Sequence, residues 1–538
     1  MRYAVAALVL RSLLGTFRPW LAFALTFGVT QLAGQEIVDV LVVPTFFVAA
    51  IAVVRGDWDA RWRWLVPVLG AIAGGHLLVK FNTGVAIAGI AGTAVLVMWW
   101  SDRRRWVMLP AFGLAATATF LAGWVATGNP LGSIRDFAST SVEIASGYSE
   151  AMSIGLNADT EAADFRVAVI AALVTAALVV TGSRGMARPR RIGAMAIAAW
   201  VGYTSMKHGF VRHESHQHIF FLDALLMATA FRWPQRAEAP VALGLAVLFV
   251  ALVPTYKVPL GEQLRPDRSV ADLAADLTTL AVPGRPDEKI DDTRAQLRGV
   301  YGLDEVVELQ LTGRTVHIHP WETSIAWAYP EIEWRPMPVL QAYSAYTDAL
   351  DDENAEFLRG VGAPEYILRD TSTVDERNAS WESPAVIIEL LCRYREVDVV
   401  GDAAFRWQLL ERGPSVCGAP ERLGVVERTL GDEIRVPRAS TRDGFVVARV
   451  SGITDGPRFE LVTQAWKGPT MFVHVTPGDV RYRLVPGTLG NGLVVQVPDA
   501  LWSKGFAPAD LTSLRFGADG LGTRDRVRVE FVEVQLLD

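Results

Sequence analysis

Cysteine is almost missing from this chain: Cys392 and Cys417 are the only two in 538 residues, which excludes a fold stapled by many disulfides. Charge is also scarce. Only 20% of residues are charged while 51% are hydrophobic, and the mean hydropathy is +0.25, which argues against a purely water-soluble protein. Long apolar runs stop at Tyr256, and no removable signal peptide is expected, since no small-residue cleavage site follows the basic residues Arg2, Arg11 and Arg18. A basic face is missing from the second half. Residues 1–256 carry 20 Lys and Arg against 14 Asp and Glu, the remainder 31 against 44, which argues against nucleic acid as a partner. Neither internal repeats nor paired charges at mid-span are present, which disfavours a transporter.

What the first half does contain is a series of apolar blocks of about 16 to 22 residues, the length needed to cross roughly 30 Å of hydrocarbon. Spans are expected near 20–34, 37–54, 64–80, 84–100, 106–126, 165–182, 192–208, 217–231 and 239–255, about nine in all. The spacers RGDWDARWR (55–63), SDRRR (101–105), GSRGMARPRR (182–191) and FRWPQR (231–236) are rich in arginine and fall on one side if the spans alternate. Positive spacers stay cytoplasmic, so the long loop 127–164, the histidine stretch and everything after 257 are expected outside the plasma (inner) membrane. There an oxidising compartment permits a Cys392–Cys417 disulfide, although spacing alone leaves two buried thiols equally open.

The exported half divides by period. A helical linker is expected over 257–300 and a small α/β domain over 301–425, in which RTVHIHP (314–320) and EYILR (365–369) read as strands. From 430 to 538 seven or eight short strands separated by Gly, Pro, Asp or Asn turns indicate a jelly-roll-like β-sandwich. The expected fold is thus a polytopic α-helical membrane domain (1–256) followed by two extracytoplasmic domains. Stretch 317–347 gathers Trp321, Trp327, Trp334, Tyr343 and Tyr346 with Glu322, Glu333 and Gln341, side chains suited to sugar recognition and equally to a core with aromatic anchors.

Four of the eight histidines lie within eleven residues in SMKHGFVRHESHQHIFF (205–221). Three readings stand side by side. Lys207, His208, Arg212 and His213 would bind the phosphate of a lipid-linked substrate, since a guanidinium fork matches phosphate geometry. His213, Glu214, His216 and His218 would ligate a divalent metal. Or the cluster is interfacial and reaches water only through its tips. The loop 128–166, at about forty residues, is long enough to be a binding element. It supplies Tyr148 as a further substrate contact and Glu150 and Asp136 as candidate general bases; Asp39 and Glu36, near the outer face, are two more, and Lys80, which marks a tight exported hairpin, is another candidate substrate contact.

This arrangement of spans, long exported loops and an exported α/β plus β-sandwich tail resembles the GT-C class of integral membrane glycosyltransferases, and within it the actinobacterial arabinofuranosyl- and mannosyltransferases. The resemblance implies transfer of a sugar from a polyprenyl-phosphate donor to a cell-envelope glycan, lipid or protein, with an acidic residue in the first exported loop as base. Here that loop is GQE, and Glu36 and Asp39 are its nearest matches. A non-catalytic glycan- or partner-binding membrane protein is the alternative. A transferase similar to O-antigen ligases or polymerases, relying on exported Arg and His, is another.

Overall fold

The computed structural model describes residues 2–33, 38–154, 158–213, 216–233, 235–255, 266–401, 406–453, 466–498, 501–503, 505–508, 510–519 and 526–537. The chain forms two compact units, one of 1–138 with 155–276, the other of 139–154 with 277–538.

The first unit is helical: α1 (Arg2–Leu13), α2 (Pro19–Ala33), α3 (Val38–Arg55), α4 (Trp62–Val79), α5 (Phe81–Ser101), α6 (Met108–Ala126), the start of α7 (Ile134–Ala151), α8 (Ala158–Gly182), α9 (Arg188–Val211), α10 (Gln217–Thr229) and α11 (Glu238–Leu252), with α12 (Pro266–Ala281) crossing into the second. Each expected span coincides with a helix, within a few residues at most ends. Among the described residues five segments are long and apolar enough to cross a membrane, namely Asp59–Val79, Phe81–Ser101, Arg103–Ala126, Ala163–Gly182 and Glu238–Thr255. Helix α10 is shorter, and every residue from Ile219 to Thr229 is buried, as expected for a helix apolar on all sides at the centre of a bundle. Its one carboxylate, Asp223, accepts a hydrogen bond from Ser205 on α9.

Helices α4 and α6 touch through Gly70 and Gly74, one turn apart. A Cβ at Gly70 would stand 2.3 Å from the Phe112 carbonyl oxygen and one at Gly74 2.0 Å from that of Ala116, so only glycine permits this backbone approach. At one end of the bundle the arginine-rich spacers meet. Asp57 pairs with Arg55 (2.9 Å) and Arg232 (3.3 Å), and Asp59 pairs with Arg190 and takes Arg105 at its carbonyl (3.4 Å). Alternating spans predict this convergence.

The second unit holds α13 (Arg285–Tyr301), α14 (Glu305–Leu311), α15 (Ser324–Ala328), α16 (Asp348–Arg359) and α17 (Pro384–Arg393). Strands β1 (Thr315–His319), β2 (Glu333–Trp334), β3 (Tyr366–Arg369), β4 (Tyr394–Gly401) and β5 (Arg406–Arg412) form a sheet in the order β2-β1-β3-β5-β4, its first three strands parallel. The remaining strands are β6 (Glu421–Thr429), β7 (Ile434–Arg435), β8 (Gly444–Ser451), β9 (Thr470–Thr476), β10 (Val480–Leu484), β11 (Leu493–Gln496), β12 (Ser513–Asp519) and β13 (Arg526–Gln535). They form two antiparallel sheets, β10-β9-β12-β7 and β11-β8-β13-β6, the interleaved Greek-key order of a jelly roll. Val473, Phe516 and Met471 from one sheet and Val446, Val529 and Phe531 from the other fill the space between them.

The expected border between α/β domain and sandwich is not a border in the structure. Phe445, Val447 and Val494 turn from the second sandwich sheet to meet Val386, Ile387 and Leu390 of α17 in a shared core, and β6 already belongs to the sandwich. Cys392 at the end of α17 is bonded to Cys417, with Cα atoms 5.1 Å apart, and Cys417 bridges to Leu536 just beyond β13. Of the two states open to the cysteines, the structure has the disulfide.

Candidate functional site

The sequence places the end of α7 in a loop between spans; the structure builds residues 139–154 into the second unit. Ile144, Tyr148 and Ala151 recur at helical spacing and form one apolar face, which packs with Tyr346 and Val485. The rings of Tyr148 and Tyr346 meet edge to face at 5.9 Å. At Ala151 the helix ends, leaving carbonyls without helical partners. Two buried arginines take them. Arg483 Nη2 donates to Ala151 and Ser153, at 2.6 Å each, and Arg377 Nη2 donates to Ala151 at 2.8 Å. Positive charge at a helix C-terminus also complements its dipole.

The arginines are themselves held by acids. Arg483 pairs with Asp375 at 2.8 Å, and Arg377 lies 3.5 Å from Glu382. Asp375 and Glu376 both have φ of 59°, a left-handed conformation that costs non-glycine residues ~1 kcal/mol or more each, and the Glu376 carbonyl there accepts from Arg483 N at 3.1 Å. On the other side Gly468 N donates to Ser149 O at 2.9 Å, Ser153 Oγ donates to Gly468 O at 2.6 Å, and Lys467 Nζ reaches Ile154 O at 2.8 Å. Gly468 is required: a Cβ there would stand 2.7 Å from Cα of Glu150.

Glu150 is thereby fixed beside the start of α16, where Thr347 caps the helix and Asp348 occupies its first turn. Burial strips water from the Glu150 carboxyl and the negative charge of Asp348 adds to the effect, raising it to about 7. Asp348 is raised to about 6, by burial first and then by Asp352, against a backbone hydrogen bond from Asn491. Glu382 is likewise raised to about 7 by burial, partly offset by Arg377. Glu150 and Asp348, two neighbouring carboxyls poised near neutrality, form a pair able to exchange a proton with a hydroxyl at physiological pH.

Of the sequence-derived candidates, then, Glu150 and Tyr148 come together in the second unit. Asp136 lies exposed in the first turn of α7, on the segment assigned to the first unit. Lys80 caps α4 and its carbonyl accepts from Gly84 N at 2.8 Å, making the tight hairpin expected of it. Glu36 lies outside the described residues, as does the side chain of Asp39 on α3.

The histidine stretch stays with the helical unit. His213 is fully buried, with Nε2 3.0 Å from Asp164 Oδ2, and the rings of Phe165 and Phe210 stand 5.5 and 5.0 Å away. Gln217 donates to the same carboxylate at 3.3 Å. Lys207 and His208 lie near the end of α9 and Arg212 terminates it; the rings of His208 and His216 are 6.5 Å apart. Among the described residues no three His, Cys, Asp or Glu side chains gather as a metal site, His216 and His218 included, and Glu214 lies outside the described residues.

Asp348, Arg377 and Arg483 were not singled out in the sequence. Asp348 reads there as an ordinary helix-start acid, and the arginines stand more than 200 residues from the carbonyls they cap. Compared with known proteins, the chain matches no family model, no curated protein and no solved structure.

Proposed function

We propose that the protein is a membrane-embedded glycosyltransferase that uses a polyprenyl-phosphate sugar, with Glu150 as the general base. The observation that carries this reading is the Glu150 carboxyl held near 7, on a loop that starts and ends at membrane-type helices and is folded into the tail. In the proposed step an acceptor hydroxyl gives its proton to ionised Glu150 as its oxygen bonds to the anomeric carbon. The bond from that carbon to the phosphate oxygen breaks, and polyprenyl phosphate leaves with the electron pair. Tyr148, which is only partly buried, offers a ring edge to a sugar. The arginine end of the helical bundle is the cytoplasmic end by the positive-inside rule, with the tail outside.

The test is release of polyprenyl phosphate from a panel of polyprenyl-phosphate sugars by the full-length protein in detergent. Glu150→Gln is expected to reduce release at least ~100-fold with the protein still folded. Full release by that variant would remove Glu150 from the mechanism, and no release from any donor by the unaltered protein would leave the tail as a binding module. The jelly roll is the specific feature that favours that second reading.

A further inference from the structure

In the second unit the chain leaves β1, forms β2 on one side of it and then returns to form β3 on the other. Parallel sheets offer a crevice at the carboxyl ends of the strands where the connections diverge in this way. Here the divergence falls at His319 and Arg369, which are paired in register at the ends of β1 and β3. His317 and His319, two apart on a strand, face the same side of the sheet, and their rings are 6.1 Å apart.

These side chains are buried and hold nitrogen atoms that meet no hydrogen-bond partner among the described residues. Arg369 is fully buried; Nη1 donates to Gln408 Oε1 and to Phe506 O, both at 3.1 Å, while Nε and Nη2 have no hydrogen-bond partner among the described residues. Nε and Nη2 are the two donors that together make the side-on fork of a guanidinium, the edge that takes a carboxylate or phosphate in two parallel hydrogen bonds. Nδ1 of His319, both ring nitrogens of His317 and Nε1 of Trp502 are also buried without partners, and Trp502 lies under the guanidinium, with Cζ 4.9 Å from its ring centroid. Burial holds His317 down to about 3 and His319 well below its usual value, so both rings are neutral, each with one N–H to give.

The acids nearby are engaged elsewhere. Asp370 Oδ1 accepts from Ser372 N at 2.7 Å, Glu396 accepts from Gln408 Nε2 (2.6 Å) and Ser503 N (3.0 Å), and Glu322 accepts from Tyr301 Oη at 2.8 Å. Asp370 and Glu396 act on the Arg369 charge through space, but none of the ion pairs among the described residues includes it and neither acid meets its open fork. A buried guanidinium with an open fork, beside further unmet nitrogens, is a place where ligand oxygens would satisfy donors that the protein leaves unmet.

We propose that the crevice between β1 and β3 binds an oxyanion, a carboxylate or phosphate on a small polar ligand such as a charged sugar, gripped by the Arg369 fork with His319 and Trp502 beside it. This site is independent of the Glu150 reading and survives its failure.

Isothermal titration of the full-length protein in detergent with inorganic phosphate and, separately, glucuronate, at ionic strength held constant with chloride, tests it. Saturable one-site binding of either is expected, and the tighter of the two tells phosphate from carboxylate. Arg369→Lys keeps the charge and removes the fork, and is expected to weaken binding at least tenfold; Trp502→Phe keeps the ring, removes one N–H and is expected to weaken it severalfold, with circular dichroism confirming the fold of each. Glu150→Gln is expected to bind as the unaltered protein does. Absence of saturable binding of both anions, or equal binding by a folded Arg369→Lys or Trp502→Phe protein, overturns the proposal.

Discussion

Arg483 donates to the carbonyl oxygens of both Ala151 and Ser153, so a residue on a sandwich strand closes the end of a helix that belongs by sequence to the membrane half. Arg483→Met leaves Asp375 with only Arg377, at 4.0 Å, and removes the short hydrogen bond to Ser153 O and one of the two arginine donors to Ala151 O. Breaking a buried pair in this way costs about 3–5 kcal/mol. The expected result is a lower Tm and faster hydrogen exchange over 139–153, with exchange in α4 and α5 unchanged. Unaltered exchange over 139–153 would show that the arginine is not what holds it.

Glu150 sets two opposite pH trends. As a base it works ionised, so transfer is expected to rise through about pH 7 and then level. Stability runs the other way. A carboxyl raised from 4.5 to about 7 by folding contributes fully below 4.5 and loses that contribution as pH rises through 7, and Glu382 adds to the same slope. The Tm of the protein is therefore expected to fall between pH 4.5 and 7. Glu150→Gln is expected to flatten part of that fall, which a Tm series at several pH values reads directly.

Two engineered cysteines test sidedness, because Cys392 and Cys417 are bonded to each other. Arg104→Cys, at the arginine end, is expected to resist a membrane-impermeant maleimide in intact cells. Val361→Cys, on the fully exposed turn after α16, is expected to react. Equal labelling of both, or labelling of position 104 alone, contradicts an exported tail.

The Cys392–Cys417 bond closes a loop with a sequence separation of 25. Chain entropy then assigns it roughly 3–4 kcal/mol. Replacing both cysteines by alanine is expected to lower the Tm of the protein and to remove its sensitivity to dithiothreitol; a reductant effect that persists in the double variant would point to some other cause.

Hydropathy made the helical half legible, because a run such as Phe81–Ser101 needs only length and apolarity to be recognised, and the run of turn-bounded strands revealed the sandwich. Three things were not legible. The close contact of α4 and α6 depends on Gly70 and Gly74, which a hydropathy count passes over. The union of residues 139–154 with the tail depends on Arg377, Gly468 and Arg483, each remote in sequence and ordinary in its local pattern. EYILR reads as a buried strand ending in a charge, and only the fold reveals that Arg369 stays inside while His319 is brought beside it. Local periodicity records which face is apolar; it does not record which distant backbone comes to rest against it.

Strand β13 lies between β6 and β8, so that sandwich sheet stays incomplete until residues 526–535 have emerged. At a ribosomal pace of ~5–20 residues per second, the roughly 380 residues after Ser153 take on the order of 20–80 s to make. For much of that interval, until Tyr346 and then Val485 are made, the apolar face of Ile144, Tyr148 and Ala151 waits for its cover.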